Sequence, residues 1–339
     1  NSSLIVDFGY TDGYESSLSN KKNSISHLFA NFNADLALEN FSNSNFFLSI
    51  KKISNDTYLK VFDGNIFKSD ITPTDNNLLE SEAKLILNND DFSLTTGFQS
   101  FENLTLSSSD RYQFIFPYYD FDKQIFKDYD KGSINFYSSG SNELNNTNNL
   151  KTVITNNVNY NSSDIISNNG FKSSYNFYLK NLNTVAKNDN KYKSSPQMEL
   201  MSILELNTSL PLINQNNSSI NYFTPKASIR FNPGDMKNHS SSDRSVNVDG
   251  IFDINRLALD DSFEEGKSLT LGLEYKKTNL SDINRYFEAK IATIYRDKNE
   301  DFIPTSSGIN NKNTNFFGTI SNNFFDIGSI SYDFIIDNN

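Results

Sequence analysis

The chain has 339 residues, only 36% of them hydrophobic, and no run approaches the ~18–20 consecutive apolar residues that a membrane-crossing helix requires. A net charge of −11 excludes nucleic acid as a partner, since phosphate recognition needs concentrated Lys and Arg, and 0 Cys excludes disulfide scaffolds, thiolate metal sites and a cysteine nucleophile. Yet the chain carries 29 Phe and 17 Tyr, whereas chains that stay disordered are poor in aromatics, so something buries these rings.

In chain order, NSSLIVDFGY opens the sequence without an initiating Met or a charged-then-apolar leader, so no targeting peptide is expected. With SISYDFIIDNN at the far end, this reads as a piece of a longer precursor. From Leu28 to Leu38, apolar residues (Leu28, Ala30, Phe32, Ala34, Leu36, Leu38) alternate with Asn31, Asn33 and Asp35, the period-two signature of a strand. Noisier runs of the same kind follow at 46–53, 57–63, 79–88, 92–101, 111–121, 133–138 and 151–160. In FKSSYNFYLK, Phe171, Tyr175, Phe177 and Leu179 oppose Lys172, Ser174, Asn176 and Lys180. Runs at 197–210 and 219–231 come next, then RLALDDSFEEGK (Arg256–Lys267), which reads as a helical turn or two in a loop. LTLGLEY sets Leu269, Leu271, Leu273 and Tyr275 against Ser268, Thr270, Gly272 and Glu274. Runs at 286–296 and 314–320 lead to SISYDFII, with Ile330, Tyr332, Phe334 and Ile336 against Ser329, Ser331 and Asp333.

These make about 16 strands of roughly 8–12 residues, the length a tilted membrane strand needs. Strands of soluble proteins more often run ~5–6 residues. The connections (NNDD, SGSNELNNTNN, NTVAKNDNKYKSSP, DMKNHSSSDRS) are rich in side chains that form turns by local hydrogen bonding. Some are short and others long, as on the two rims of a barrel. No fixed-period repeat appears, which argues against a propeller or solenoid array. The expected fold is all-β: one large antiparallel transmembrane β-barrel, of which residues 1–339 form the central part. A soluble β-sandwich or β-solenoid, as in an adhesin, is the alternative that alternation alone leaves open. Aromatics such as Phe46, Phe47, Tyr58, Phe116, Tyr118, Tyr119, Tyr222, Phe223, Phe316 and Phe317 suit interfacial girdles and equally suit ordinary core positions.

Charged residues also sit inside the strand-like runs: Glu82 and Lys84, Glu199 and Glu205, Lys226 and Arg230, Glu274 and Lys276, Glu288 and Lys290. On a lipid-facing surface each would cost up to ~2–4 kcal/mol at the midplane, so they are expected on the inner face, lining a hydrated lumen or pairing to hold the wall. The chemistry-bearing residues are few. There are two His: His27 at a strand start, and His239 beside Ser240, Ser241 and Ser242, a pairing a serine hydrolase would need. The acidic stretches Asn89–Asp91 and Asp297–Asp301 offer oxygen ligands without the spacing of a dedicated calcium loop. No phosphate-cradling Gly loop, H-E-x-x-H or G-x-S-x-G is present. No catalytic, metal or cofactor residue is therefore assigned.

Specific strings go further. SNDTYLKVFD (Ser54–Asp63), with its D-x-T-Y-L, precedes DRYQFIFPYYDF (Asp110–Phe121), which carries Arg111, Tyr112 and Pro117 as R-Y-x-x-x-x-P. GSINFYSSG from Gly132, NNGF up to Phe171, SLPLI from Ser209 and TPKASIRFNPGDMKN (Thr224–Asn238) follow in order. Then come NRLALDDSFEEGKSLTLGLEY from Asn255, with Arg256, Glu265, Gly266 and Gly272, and FIPTSSGI from Phe302. Collinear along nearly the whole chain, these strings resemble the LPS-assembly protein family of Gram-negative outer membranes (LptD, the organic solvent tolerance protein family) in its α-proteobacterial form. The resemblance implies a barrel of about 26 strands once the missing flanks are added, near the top of the usual size range. It implies lipopolysaccharide as cargo, an LptE-like plug lipoprotein in the lumen, and periplasmic LPS-transport bridge proteins docking through an N-terminal domain outside this chain. It also implies membrane lipids around the wall, no cofactor and no enzymatic activity. The family's periplasmic jellyroll and gate-forming first and last strands are expected beyond the chain, and without Cys no disulfide maturation applies. Pro117, lacking a ladder N–H, is expected to mark a bend or a rim.

Overall fold

The computed structural model describes residues 1–16, 19–61, 69–106, 110–324 and 328–338, with side chains except those of residues 13–25. Seventeen strands of one antiparallel sheet account for most of it. They are β1 (Ser2–Ser16), β2 (Ser19–Asp35), β3 (Asn43–Ile53), β4 (Leu78–Asn89), β5 (Phe92–Asn103), β6 (Tyr112–Asp128), β7 (Gly132–Asn145), β8 (Asn149–Asn161), β9 (Ile165–Ile166), β10 (Lys172–Lys187), β11 (Gln197–Ser209), β12 (Leu212–Gln215), β13 (Ser219–Asn232), β14 (Gly266–Asn279), β15 (Arg285–Arg296), β16 (Phe316–Phe324) and β17 (Ser329–Ile336). Among the described residues, helix is confined to one turn, α1 (Tyr58–Val61), and a 3-10 turn at Thr305–Ser307. The all-β expectation holds.

Three local expectations do not. The run 57–63 is no strand: Tyr58–Val61 is helical, and residues 62 and 63 lie outside the described residues. Asn55 explains this, because its side chain accepts from the N–H of Thr57 (2.9 Å) and closes a turn just ahead of the helix. Arg256–Lys267 is not helical either; its turns end where Gly266, at φ 85°, enters β14. The opening residues, not assigned to a strand from sequence, form β1. Several strands also outrun their apolar alternation, as in β7 to Asn145 and β10 to Lys187, because a backbone ladder continues where the side chains turn polar.

The chain groups into two compact units. The first holds Asn1–Ile125, Asn135–Asn157 and Asn181–Glu199. Its register is regular from β2 through β5, with His27 opposite Ile53 and Glu82 opposite Gln99. At Pro117 it slips: Gln99 pairs with Ile115 but Gly97 with Tyr118, so β6 carries one extra residue there. A bulge accommodates a residue that cannot donate, so Pro117 marks an irregularity within the strand. Beside this sheet, Phe29, Ile53, Tyr58, Leu59, Ile71, Leu79 and Leu104 form a buried apolar cluster under the connection that carries α1.

The second unit holds Phe126–Ile134, Val158–Lys180 and Leu200–Asn339. Here β13 to β17 form a meander in which Arg230 faces Ser268, Leu271 faces Thr293 and Ile320 faces Tyr332. Pro211 splits β11 from β12, both of which pair with β13. Burial alternates with the opposite sense from a soluble sheet. On β13, Ser228 and Arg230 are 2% and 3% exposed, whereas Ile229 between them is 54% exposed. On β14, Ser268 and Thr270 are buried and Leu271 and Leu273 are 40% and 44% exposed. A half-buried antiparallel sheet in water places its hydrophobics in and its polar residues out; β13 and β14 do the reverse.

Candidate functional site

Two long connections of the second unit, residues 233–265 and 297–315, cover the polar face of β13 to β16. They bury Met236, Val246, Val248, Ile251, Leu257, Leu259, Ile303 and Ile309 against Ala292, Ile294 and Phe317 of the sheet. Each fully buried aliphatic of this kind contributes ~1.5–3 kcal/mol, so the connections are packed structure. Gly272 permits the approach, since a Cβ there would lie 2.8 Å from the Phe252 ring. Backbone and side chain then tie the connections together. The N–H of His239 donates to the Phe302 carbonyl (2.9 Å), and the Arg244 guanidinium donates to the carbonyls of Leu257 (2.8 Å) and Ala258 (2.5 Å).

At the heart of this assembly lies a buried ion cluster. Glu264 receives Arg256 through one guanidinium edge (Nε at 2.7 Å, with Nη2), Arg296, and Arg230 at 3.5 Å. Arg230 also meets Glu205 at 3.4 Å and the Asp253 carbonyl, and Arg256 reaches Thr270 Oγ1 (3.0 Å) and Ser268 Oγ (3.1 Å). Connection and sheet thus share one network. Burial by itself would raise the Glu264 carboxyl, but Arg256, Arg296 and Arg230 hold it well below the usual carboxylate range. At the outer end of the same loop, a hydrogen bond from Lys298 (2.9 Å) lowers the Glu265 carboxyl. Burial, then the nearby Glu265 charge, raises that of Glu300. Lys180 and Lys290, both on strands, add contacts to the Asp260 carbonyl (3.0 Å) and the Asp249 carboxylate (2.8 Å).

The first unit has smaller polar clusters. The Glu82 carboxylate accepts from Tyr118 (2.7 Å), Gln99 (2.9 Å) and Lys84 (3.1 Å) across three strands. Arg111 bridges Glu102 (2.8 Å) and Asp56 (2.6 Å), and the Asp56 bond raises its guanidinium above the ordinary value. His27 is buried between Tyr58 (2.8 Å) and Asp7 (3.0 Å), and Ser69 donates to the far oxygen of Asp7 (2.7 Å).

Most of the strand charges singled out from sequence find partners: Glu82 with Lys84, Glu205 with Arg230, Lys226 with Glu274 (2.5 Å) and Glu288 with Lys290 (3.3 Å). Lys276 lies over the Tyr286 ring at 4.3 Å. Of the aromatics suited to girdles, Tyr58 and Phe317 are core residues instead, 5% and 1% exposed. Among the described residues no serine hydroxyl hydrogen-bonds a histidine ring. Ser242 Oγ donates to the His239 carbonyl, Ser240 Oγ bonds Asn238, and the His239 ring bonds Asp261 (3.0 Å). Among the described residues no His, Asp and Glu cluster as a metal site, and Asn89 merely caps its own turn at Asp91. Sequence reading missed Glu264, Arg296, Asp7 and Glu102. They lie in aperiodic connections or isolated strand positions, where alternation carries no signal.

The strings behind the family resemblance acquire physical roles here. Asp56 and Arg111 of two separate strings form an ion pair. Arg256 clamps Glu264, Glu265 accepts the Met236 N–H (3.2 Å), and Gly266 and Gly272 supply the positive φ and the close approach. No protein-family model and no curated protein matches the chain. What the geometry offers is a polar sheet face roofed by ordered connections, opposite an apolar face that no described residue covers at Ile229, Leu271 or Leu273.

Proposed function

We propose that the chain is the wall of an outer-membrane β-barrel, and that it serves to place lipopolysaccharide in the outer leaflet. The membrane half of this reading rests on one observation: β13 and β14 expose Ile229, Leu271 and Leu273 and bury Ser228, Arg230, Ser268 and Thr270. Exposed apolar strands of this length suit hydrocarbon, and a face carrying Glu205 and Arg230 suits a hydrated interior. The cargo half rests on the collinear resemblance to the LPS-assembly protein family. In this reading the chain is no enzyme and needs no cofactor, and the partners are lipopolysaccharide, a plug lipoprotein in the lumen and a periplasmic bridge.

Depletion of the protein in its own cells, with surface labelling of newly made lipopolysaccharide, tests the cargo. The expected result is lipopolysaccharide retained at the periplasmic side. Normal surface arrival together with lost uptake of small solutes would replace this reading with a porin-type or TonB-dependent barrel. Flotation of the protein with lipid vesicles tests the membrane half separately, and a protein that stays soluble and folded without lipid would return it to an adhesin-like sandwich.

A further inference from the structure

We propose that the apolar face of β14 to β16, at the end joined by the short connection 280–284, binds the phosphate of an anionic glycerophospholipid between Lys277 and Arg285. This rests on the membrane reading above. Lys277 pairs in register with Phe287, and Arg285 with Phe324. By the two-residue period, all four lie on the face that carries Leu271 and Leu273. Together with Asn279 and Asn322 they line a cleft of about 440 Å³.

Both cations are exposed, on the one face where charge is costly. The cost of a lipid-facing Lys or Arg falls from ~2–4 kcal/mol at the midplane to ~0–1 near the interface, so the pair marks the headgroup level, one step beyond the apolar belt. Neither cation is spent on protein. Lys277 has no ion pair among the described residues. Arg285 has only Asp282 at 3.6 Å, longer than the ~2.7–2.9 Å of a strong charge-assisted bond. Asp282 meanwhile uses its other oxygen to cap the turn at the Asn284 N–H (3.0 Å). Phe287 and Phe324 give an apolar floor for the glycerol end, and the two Asn amides can reach phosphate or ester oxygens. In a chain of net charge −11, two unspent cations over aromatic rings on an apolar surface select an anionic, amphiphilic ligand. The source is a glycerophospholipid because large outer-membrane barrels keep short turns at the periplasmic rim, and here 233–265 and 297–315 emerge at the opposite end.

The test reconstitutes the full chain in zwitterionic phosphatidylcholine vesicles containing a minor fraction of phosphatidylglycerol, then measures lipid retained after gentle detergent extraction. Phosphatidylglycerol should be enriched on the order of 10-fold over phosphatidylcholine. Lys277→Gln with Arg285→Gln should abolish the enrichment, and Lys277→Arg should keep it. Equal retention by wild type and the double variant overturns the site. So does retention displaced by inorganic phosphate, which makes it a soluble-anion site, or a preference for lipid A supplied in place of phosphatidylglycerol. Insertion without lipid preference fails this proposal alone, whereas failure to insert removes the membrane reading with it.

Discussion

Glu264→Gln isolates what the buried ion cluster does. The wild-type carboxylate balances Arg256, Arg296 and Arg230, and the amide would leave three guanidinium groups of which only Arg230 keeps a carboxylate, that of Glu205. Removing one partner of a buried ion network costs ~3–5 kcal/mol, because the remaining charge has lost its water and its counter-charge. The strands keep their ladders, so the loss falls on docking of 233–265 and not on the sheet. Converted at ~1.4 kcal/mol per tenfold, the opening constant of the connection rises by roughly two to three and a half powers of ten. Hydrogen exchange reads this directly at the amides of His239 and Ala258, which bond to Phe302 and Asn255 within the roof. Those amides should lose protection by that factor, while the amides of β13 and β14 barely change. Trypsin should then cut at Arg244, whose guanidinium is otherwise held on the Leu257 and Ala258 carbonyls. Unchanged protection in Glu264→Gln would refute the claim that the cluster holds the roof, and uniform loss across the sheet would refute its local action.

Other substitutions probe neighbouring claims. Gly272→Val drives a side chain into the Phe252 ring and should cost ~1–3 kcal/mol of roof docking by overpacking; Phe252→Ala in the same chain should restore exchange protection at His239. Leu271→Arg and Leu273→Arg, on the apolar face, should each destabilise the sheet by up to ~2–4 kcal/mol in vesicle unfolding titrations if that face meets hydrocarbon, and an effect near zero would favour water. Arg111→Ala removes both the Glu102 and Asp56 bonds, so proteolysis near α1 should accelerate while β1 to β5 remain protected. On acidification, the native Glu264 carboxyl titrates well below its unfolded value, so the stability it lends is present above the ordinary Glu range near ~4.3 and fades only as pH falls towards the lowered native value. Exchange at His239 should therefore stay slow at pH 5; a midpoint there would contradict the clamp.

Alternation made the wall legible because a strand's side chains answer to only two environments. LTLGLEY placed Leu271 and Leu273 on one face and Ser268 and Thr270 on the other, and burial divides them along the same line. Which face was buried could not be read, since period two is identical in a sandwich and a barrel. The exposure of Ile229 beside buried Arg230 shows that on β13 the polar side is the buried one. Local chemistry defeated the pattern where a turn overrode it. TYLKVF alternates well enough for a strand, yet Asn55 bends the chain and Tyr58 goes to His27.

The connections were illegible for a different reason, and that reason bears on function. Glu264 and Glu265 are adjacent and chemically identical, yet one is buried among three arginines and the other bonds Lys298 at the edge. No periodicity separates them, because their environments come from tertiary docking against Thr270, Ser268 and Arg296. A roof built this way is specific in a manner that apolar packing alone is not. Ile251, Leu257 and Leu259 would accept several registers against Ile294 and Phe317, but the guanidinium of Arg256 meets Glu264, Thr270 and Ser268 together in only one. Apolar burial therefore supplies most of the docking energy, and the ion cluster supplies its address. A passage along the polar face would be set by where that address holds 233–265. For this reason variants of Glu264 and Arg256, more than variants of the aliphatics, should shift where 233–265 sits on the polar face while leaving the strand ladders intact.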